Sequence, residues 1–600
     1  MNIIGGVDRA QGINQVSSED AANQVTTMEF NNADQLVKVT EPNGHVSNYQ
    51  YNWLDELENL DERVSASAST PEMVYDPTYD SNGNIESIKD TVLGASQTTS
   101  YDHTATNDVK NQVVQSSSQV AYQYDNNQNL IAWNPQTGWG QGLSFSYDKA
   151  NQLKQVKDSA QKVVEDLSYD PNGNVTSIQR TDADGVIQSL TYDNANRLNN
   201  VEYKKGTTLL WGYSYNLDEN GRIKSVTNNL SSSSSYDYDE TGRLKNFTDS
   251  TGTTSYSYDN TGNRLTMTNA IGATKYTYNN LNQLTNVNGP KGTVNYSYNE
   301  KGQLTEQGGI HFEWNTDDKL AKETQPDGSS VEFRYNAKGQ RIEKIVKSSS
   351  GSILNDYQYQ YEDSTGNLIV ESNVSTGLSI TYSYDANGSR ISQTQGGKTY
   401  FYNYDGHGNV IGLTDSNGTP VITYSYDPWG KLVDKKGTLY NPFTYSGYYY
   451  DEETNLYYLI NRYYDPAVGR FISQDNIEPI SPNYYLYCEN DPVNQVDPDG
   501  DFTIALGSLS SLGGIYLIPG VGEVAIGATI AIGAGIAVGY GIRYFAKGGK
   551  QHVRDTGLAN LTDEEISRRA RDKSLSSAER QRYVKEEKGR KARNVQKRKK

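Results

Sequence analysis

Alternating aromatic and polar positions, interrupted by short polar turns, run along most of this chain. In the segment 256–267, YSYDNTGNRLTM, Tyr256 and Tyr258 are two positions apart, so both rings lie on one face of a strand. Asp259 then begins a turn, because its carboxylate can accept hydrogen bonds from backbone amides ahead of it. Gly262 supplies a positive φ at little steric cost, and an extended run follows. The pattern predicts a hairpin of strand, tight turn and strand.

This unit recurs about every 20 to 24 residues, from near the start of the chain to residue 427. The clearest Tyr-Asp steps begin at Tyr124, Tyr147, Tyr169, Tyr192, Tyr238, Tyr258, Tyr384, Tyr404 and Tyr426. Weaker copies with Asn after the tyrosine begin at Tyr215, Tyr278, Tyr298 and Tyr335. The repeats predict a mainly β fold, built as a long antiparallel array of hairpins. Because a single hairpin is marginal in water, neighbouring hairpins must pack together.

Tyrosine takes over much of the burial that aliphatic residues usually supply. The chain has 48 Tyr but only 10 Phe among 600 residues, and its hydrophobic fraction of 34 % is low for a compact globular core. A tyrosine can bury its ring while its hydroxyl reaches solvent or a backbone partner. A solvated low-complexity linker is the alternative, and the regular turn chemistry argues against it.

Charge is distributed unevenly between the body of the chain and its end. The net charge is −19, yet residues 543–600 hold 19 Lys and Arg against 8 Asp and Glu, a net of +11 that leaves −30 for residues 1–542. This asymmetry predicts an acidic body and a basic effector tail. Cys488 is the single cysteine, which excludes an intrachain disulfide. The start, MNIIGGVDRAQG, lacks the regions of a signal peptide, so we expect no export signal there.

An apolar, glycine-rich stretch covers residues 502–542. Residues 524–542 are 19 uncharged positions, nominally long enough to cross a bilayer, and Gly535 and Gly539 are spaced for close helix contact. Pro519 and Gly520 interrupt the run before it, which predicts a pair of short apolar helices. Three interpretations stay open: an aid to membrane entry, a segment kept inside the protein, and a permanent anchor.

The basic tail is predicted to be mainly helical, with helices over 563–573 and 577–595. Thr562 and Glu565 form a capping box, and Ser576 with Glu579 offers a second. The charge favours nucleic acid as a partner, because phosphate contacts dominate such binding. The candidate contacts are Arg568, Arg569, Arg571, Arg582 and Lys585. His552 and Asp555 are candidate acid–base groups, although each could equally be an ordinary surface residue. No metal-ligand spacing and no cofactor motif stand out.

Between the repeats and the apolar stretch, the sequence carries an ordered series of landmarks. They are GYYYD at 447–451, LYY at 456–458, RYYDP at 462–466, GRF at 469–471, QD at 474–475, NDP at 490–492 and DPDG at 497–500. With the preceding Tyr-Asp repeats, these landmarks resemble the Rhs (rearrangement hotspot) family, which includes wall-associated proteins of Gram-positive bacteria and the animal teneurins. The resemblance covers roughly residues 25–500. It implies a hollow β-shell formed by the spiralling repeats and closed by the Rhs-associated core.

The resemblance also implies a chemistry, because many members cut their own chain just after the Asp-Pro-x-Gly motif. By motif position, Asp475 and Asp497 would be a catalytic carboxylate pair like that of an aspartyl protease, with Arg462 as the supporting cation. Two carboxylates that share a site can hold one proton and act as acid and base on water. The other core-motif residues are Arg470, Pro498 and Gly500. Many members have a large aliphatic residue where this chain has Asp501, so cleavage near residue 501 and a purely structural closure are both open.

The resemblance divides the chain into four parts: repeats over 1–440, the core over 441–500, an apolar segment over 501–550 and a toxin tip over 551–600. It implies a secreted or cell-surface polymorphic toxin that acts between bacteria, together with a cognate immunity protein in the producing cell. The tip is expected to be a nuclease or a non-enzymatic binder of RNA, ribosomes or membrane. The alternative from another class is an adhesion protein whose exposed tyrosines bind carbohydrate or other ligands.

Overall fold

The structure, a computed structural model, describes residues 25–505 with short gaps, and the backbone of two strands before residue 20. The gaps are 32, 34, 42–43, 93–94, 115–117, 137, 230–232, 337, 363–364, 476–482 and 502. Almost all regular structure in these residues is β-strand; the helical part is limited to single 3-10 turns at Tyr445–Gly447 and Cys488–Asn490. The predicted helices of the tail lie outside the described residues.

Forty strands form one antiparallel meander in which each strand pairs with the next, as the repeat pattern predicted. The strands are β1 Asn2–Ile4, β2 Asn14–Glu19, β3 Val25–Phe30, β4 Leu36–Thr40, β5 Val46–Tyr51, β6 Leu57–Arg63, β7 Met73–Tyr79, β8 Ile85–Val92, β9 Ala95–His103, β10 Val109–Val114, β11 Ser118–Tyr124, β12 Leu130–Pro135, β13 Leu143–Tyr147, β14 Leu153–Asp158, β15 Val163–Tyr169, β16 Val175–Gln179, β17 Val186–Tyr192, β18 Leu198–Lys205, β19 Thr208–Leu217, β20 Ile223–Asn228, β21 Ser233–Tyr238, β22 Leu244–Asp249, β23 Gly252–Tyr258, β24 Arg264–Asn269, β25 Gly272–Tyr278, β26 Leu284–Gly289, β27 Gly292–Tyr298, β28 Leu304–Gln307, β29 Ile310–Trp314, β30 Leu320–Thr324, β31 Ser330–Tyr335, β32 Arg341–Lys347, β33 Ile353–Tyr361, β34 Leu368–Asn373, β35 Leu378–Tyr384, β36 Arg390–Gln395, β37 Lys398–Tyr404, β38 Val410–Asp415, β39 Pro420–Tyr426 and β40 Leu432–Lys436.

Two small sheets follow the meander. The first is β41 Tyr449–Asp451, β42 Leu456–Leu459, β43 Arg462–Asp465 and β44 Arg470–Phe471, paired antiparallel in that order. The second is the pair β45 Gln495–Val496 and β46 Ile504–Ala505. We call residues 441–505 the core segment.

The aspartate of each repeat closes its turn in the predicted way. In the turn after β23, Asp259 Oδ1 accepts hydrogen bonds from the N–H groups of Thr261 and Asn263 at 2.9 and 2.8 Å. Its Oδ2 accepts a third from Asn263 Nδ2 at 2.9 Å. Gly262 adopts φ +83°, the left-handed conformation for which glycine has no steric penalty. One carboxylate therefore satisfies backbone donors that the tight turn leaves unpaired.

In most repeats the tyrosine ties its hairpin to the preceding one. Its hydroxyl donates to the backbone carbonyl at the start of the second strand of the previous hairpin, as from Tyr169 to Leu153 at 2.6 Å. The same bond joins Tyr79 to Leu57, Tyr124 to Val109, Tyr147 to Leu130, Tyr192 to Val175, Tyr238 to Ile223, Tyr258 to Leu244, Tyr278 to Arg264, Tyr335 to Leu320, Tyr361 to Arg341, Tyr384 to Leu368, Tyr404 to Arg390 and Tyr426 to Val410. These bonds explain why the chain uses Tyr rather than Phe.

Removing one of these hydroxyls is expected to weaken the fold slightly. Tyr169→Phe keeps the half-buried ring and deletes the bond to the Leu153 carbonyl. We expect the free energy of unfolding to fall by about 1 kcal/mol, the usual net worth of one such bond. The midpoint of urea unfolding measures the change. An unchanged midpoint would mean that water replaces the hydroxyl at no net cost.

Distant parts of the meander also pack against each other. The Tyr203 hydroxyl, on β18, donates to the Tyr404 carbonyl and accepts from the Tyr404 N–H, both at 2.9 Å. Arg180 donates from Nη1 to the Tyr402 carbonyl at 2.9 Å and pairs with Asp184 at 3.0 Å. The repeats near residue 200 therefore lie directly against the repeats near residue 400.

The core segment lies along the turns of the later repeats. The Tyr485 hydroxyl donates to the Gly302 carbonyl at 2.8 Å, and the Tyr464 hydroxyl donates to the Trp429 carbonyl at 2.7 Å. Both tyrosines are almost fully buried. The core segment is thus held by repeats that lie far from it in the sequence.

A buried ionic cluster joins the core segment to the repeats. Asp451, on β41, pairs with Arg341 at 2.5 Å and with Lys344 at 3.0 Å, both on β32. The three side chains are 0 to 2 % exposed. Although burial opposes it, the two cations hold the pKa of Asp451 below its ordinary value. The cluster therefore stays ionised without solvent.

Glu323, on β30, is a buried acid that pairs with no such cation in the described part of the chain. Its Oε1 accepts from Gln325 at 2.7 Å, while Oε2 is buried with no hydrogen-bond partner among the described residues. Burial, followed by the charges of Asp451 and Asp465, raises the pKa of Glu323 to about 8. An acid with a raised folded pKa contributes most to stability below its unfolded pKa of 4.5, and that contribution is lost as the pH rises through 8.

Glu323→Gln is therefore expected to stabilise the protein increasingly as the pH rises from 4.5 to 8. The amide does not ionise in either state, so the variant avoids the free energy of keeping the buried acid protonated, on the order of 4 kcal/mol at pH 8. Near pH 5 the two proteins should differ little. Thermal unfolding at the two pH values measures the difference. Equal gains at both would mean that the side chain acts through packing rather than ionisation.

Candidate active site

Arg462 lies at the centre of the candidate site, at the first position of β43. Its Nη2 is 2.9 Å from Asp475 Oδ2 and 3.6 Å from Asp497 Oδ2. Its Nη1 donates to the Tyr484 carbonyl at 3.1 Å, and its guanidinium lies 3.6 Å from the centre of the Phe471 ring. The guanidinium is buried, and the ring fixes its orientation. The structure thus brings together the three residues that the sequence predicted as a catalytic group.

The DPDG motif forms the loop between β45 and β46, and its backbone faces the same arginine. Arg462 Nε donates to the Gly500 carbonyl, while the Gly500 N–H donates to Asp497 Oδ1 at 2.9 Å. Gly500 has φ +88°, and a Cβ there would lie 3.0 Å from the backbone nitrogen of Arg462 and 3.1 Å from the Leu459 carbonyl oxygen. Only glycine fits this close approach. Pro498 is buried in the same loop.

The protonation of Asp497 suits it to act as an acid. Burial, together with the charges of Asp499, Asp501 and Asp475, raises its pKa to about 8, although Arg462 opposes the shift. Asp497 is therefore mostly protonated at neutral pH. A proton donor, a neighbouring carboxylate and a guanidinium on a backbone carbonyl are the parts that hydrolysis of a peptide bond requires.

Asp501 makes the site unusual. Its Oδ2 accepts from Asn461 Nδ2 at 2.7 Å, and its Oδ1 is buried with no hydrogen-bond partner in the described part of the chain. Burial and the charge of Asp499 raise its pKa to about 7, with Arg462 and Lys319 acting in the opposite direction. A carboxyl group therefore occupies a half-buried position where the resemblance leads us to expect an aliphatic side chain.

The remaining predicted residues lie elsewhere. Arg470 is turned away from the carboxylate pair and bonds the repeats, donating to Asn263 Oδ1 at 3.1 Å and to the Asn282 carbonyl at 2.7 Å. It ties the core segment to the repeats. The described residues contain no cluster of His, Cys, Asp or Glu suited to a metal, and no helix among them is long and apolar enough to span a bilayer.

The predicted residues of the tail lie outside the described residues, as does the apolar segment after residue 505. These tail residues are His552, Asp555, Arg568, Arg569, Arg571, Arg582 and Lys585. Their proposed roles stay predictions.

Sequence reasoning missed three residues that complete the site. Asn461 holds Asp501, the Tyr448 hydroxyl accepts from the Asp497 N–H at 3.0 Å, and Lys319 reaches the site from the repeats. Asn461 directly precedes the RYYDP landmark, so the motif could have pointed to it. Lys319 gave no signal, because its place depends on packing between segments about 140 residues apart.

The family model described as the teneurin YD-shell matches residues 164–493, which is more than half of the chain. A nuclease and a toxin are among the curated relatives. The tRNA3(Ser)-specific nuclease WapA of Bacillus spizizenii is 36 % identical over 203 residues, covering 32 % of this chain and 8 % of that protein. The toxin protein Tse5 of Pseudomonas aeruginosa is 35 % identical over 104 residues, covering 17 % of this chain and 8 % of that protein. The chain therefore matches only a small part of either relative.

Solved structures share the fold over most of the chain. The crystal structure of TcdB2-TccC3-TEV superposes with a TM-score of 0.68 at 18 % identity, covering 81 % of this chain and 28 % of that chain. The Tc holotoxin pore of Photorhabdus luminescens gives a TM-score of 0.62 at 18 % identity, covering 81 % of this chain and 27 % of that chain. At this identity the likeness establishes the fold alone.

Proposed function

We propose that this chain, which belongs to the teneurin YD-shell family, is a toxin shell that cuts itself beside Gly500 and so releases its basic tail. One observation carries the proposal: a single buried guanidinium contacts Asp475, Asp497 and the carbonyl oxygen of Gly500. A structural role rarely requires one arginine to contact two acids and a main-chain carbonyl at the same time. A hydrolytic site requires such a contact.

The proposed reaction is hydrolysis of the peptide bond between Gly500 and Asp501. The Asp475 carboxylate takes a proton from water, and the water oxygen attacks the Gly500 carbonyl carbon. Arg462 stabilises the negative charge that forms on the carbonyl oxygen, which its Nε already contacts. Asp497 gives its proton to the Asp501 nitrogen as the carbon–nitrogen bond breaks. The products are a carboxylate at Gly500 and an amine at Asp501.

We infer that the released tail acts on nucleic acid and that the producing cell holds an immunity protein. Support comes from the net charge of +11 over residues 543–600 and from the naming of one relative as a tRNA nuclease. An acidic immunity protein would complement the tail electrostatically. The apolar stretch 502–542 is proposed to contact the target membrane. The relative named as a toxin favours a secreted or cell-surface location.

The intact mass of the purified full chain tests the cleavage. We expect two fragments that separate within a residue of Gly500. A single mass for the whole chain under native conditions would contradict the proposal. Fragments that separate elsewhere would move the chemistry away from Arg462.

A growth assay tests the role of the tail. Induction of the full chain in a bacterial host is expected to stop growth and to degrade RNA. A matched chain that ends at Ala505, which keeps the repeats and the core segment, should do neither. Equal growth with both chains would contradict the toxin proposal and leave the cleavage proposal standing.

The structure gives no support to the alternative of carbohydrate binding through exposed tyrosines. All tyrosines in the described part of the chain are buried or half-buried, and most of those of the repeats bond backbone carbonyls. Exposed aromatic rows of the kind that stack on sugars are absent from these residues. We therefore do not propose it.

A further inference from the structure

The turn that carries Arg462 has a strained backbone. Ile460, between β42 and β43, has φ +65°, a conformation that β-branched side chains rarely adopt. The N–H of Asn461 bonds the carbonyl of Leu459, two residues back, at 2.7 Å. A three-residue turn of this kind is rare and persists only where surrounding contacts hold it. Something outside the turn must therefore fix it.

Lys319 supplies that restraint from the repeats. It ends the turn between β29 and β30, and its Nζ donates to the carbonyls of Ile460 and Asn461 at 3.1 and 3.3 Å. It also lies 3.3 Å from Asn461 Oδ1, and Lys319 is only 3 % exposed. A Cβ at Gly339, in the turn of the next repeat hairpin, would lie 3.0 Å from Lys319 Cε. Two repeat turns thus place one ammonium on the strained turn.

Asn461 passes this restraint to the DPDG loop. Its N–H also donates to the Asp499 carbonyl at 2.9 Å, and its Nδ2 donates to Asp501 Oδ2 at 2.7 Å. Arg462 is the next residue and contacts Gly500. The turn that Lys319 holds therefore positions both the Arg462 guanidinium and the peptide bond after Gly500.

We propose that Lys319 is a positioning residue for self-cleavage, which makes the cut conditional on the packing of the repeat that carries it. Without that repeat in place, the turn 459–462 relaxes and Arg462 leaves the Gly500 carbonyl. The cut then waits until the repeats have closed on the core segment. This inference rests on the proposed self-cleavage and adds its regulation.

The charge of Lys319 offers a separate readout. Acidic groups face it from two elements: Asp318 beside it in its own turn, and Asp499 and Asp501 from the DPDG loop. Burial outweighs their attraction and lowers the pKa of Lys319 to about 8. The ammonium is therefore lost at mildly alkaline pH, whereas an arginine in its place would stay charged.

The experiment compares cleavage rates of the full chain after uncut, urea-unfolded protein is diluted into native buffer. Lys319→Met is expected to slow the cut at least about tenfold, since small misplacements of catalytic groups have effects of that size or greater. Lys319→Arg should stay within about threefold of the wild type near pH 7. Lys162→Met is the matched control, because Lys162 has the same place in its turn but is exposed. Its backbone N–H donates to Asp158 as that of Lys319 does to Asn315. The cleavage rate of this control should equal that of the wild type.

The pH profile separates positioning from general stability. Above pH 8 the wild-type rate should fall steeply with pH, because both Asp497 and Lys319 lose a proton there. In Lys319→Arg the slope should be shallower, because Asp497 alone loses a proton. Equal slopes, or a Lys319→Met variant that cuts at the wild-type rate, would overturn the inference while the self-cleavage stands. A wild type that never cuts would overturn both.

Discussion

Asp497→Asn is expected to leave the chain uncut, with a cleavage rate at least about 100-fold below that of the wild type. Asp497 is mostly protonated at neutral pH, so asparagine matches both its charge and its shape. The amide still accepts the Gly500 N–H through Oδ1, and the loop should keep its conformation. What the amide cannot do is release a proton to the leaving nitrogen. Loss of cleavage without loss of stability is the result that identifies an acid.

Intact mass and the unfolding midpoint of the same samples measure both quantities. Asp434→Asn is the control, because Asp434 is an exposed acid on β40. It should be cut like the wild type. If Asp497→Asn is cut at the wild-type rate, Asp497 is not the proton donor. If it is uncut but also unfolded, Asp475→Asn and Arg462→Lys test the same site through other atoms.

Asp451→Asn is expected to destabilise the fold by about 3 to 5 kcal/mol, the largest loss of stability that we predict. The carboxylate neutralises two buried cations, and its removal leaves Arg341 without a carboxylate partner among the described residues and Lys344 with Glu453 alone, at 2.9 Å. Neither cation can turn to solvent, since each is at most 2 % exposed. Breaking a buried pair from one side is costly because an uncompensated charge remains in a medium of low dielectric constant.

Chemical unfolding in the uncut Asp497→Asn background measures this effect on a single chain. Asp434→Asn again serves as the control, since its partner Lys436 lies 3.4 Å away and both are largely exposed. An exposed pair contributes less than about 1 kcal/mol. A loss of similar size in both variants would mean that the buried cluster relaxes or admits water.

The repeating residue pattern was sufficient to predict the strands and their turns. Alternating tyrosines, an aspartate and a glycine specify a hairpin through local hydrogen bonds alone, as in the turn at Asp259. Matching of the landmarks around Arg462 also indicated which three residues would meet. Both predictions rest on interactions or motifs that a short stretch of sequence contains.

Contacts between distant segments could not be predicted in this way. Lys319 has the same place in its turn as exposed Lys162, and nothing in the local sequence distinguishes the buried lysine from the exposed one. Only the packing of the core segment against that repeat makes the difference. The raised pKa values of Glu323 and Asp497 have the same origin, because burial is set by the tertiary fold.

The bond from most repeat tyrosines to the hairpin before them has a consequence for synthesis on the ribosome. The acceptor carbonyl of Tyr169, at Leu153, emerges before the tyrosine does, and the same order holds for every such bond. Each new hairpin can therefore dock on one that is already complete, from the first repeat to the last. The core segment is translated afterwards and meets repeats that have already folded. The direction of translation would therefore by itself delay the proposed cleavage beside Gly500.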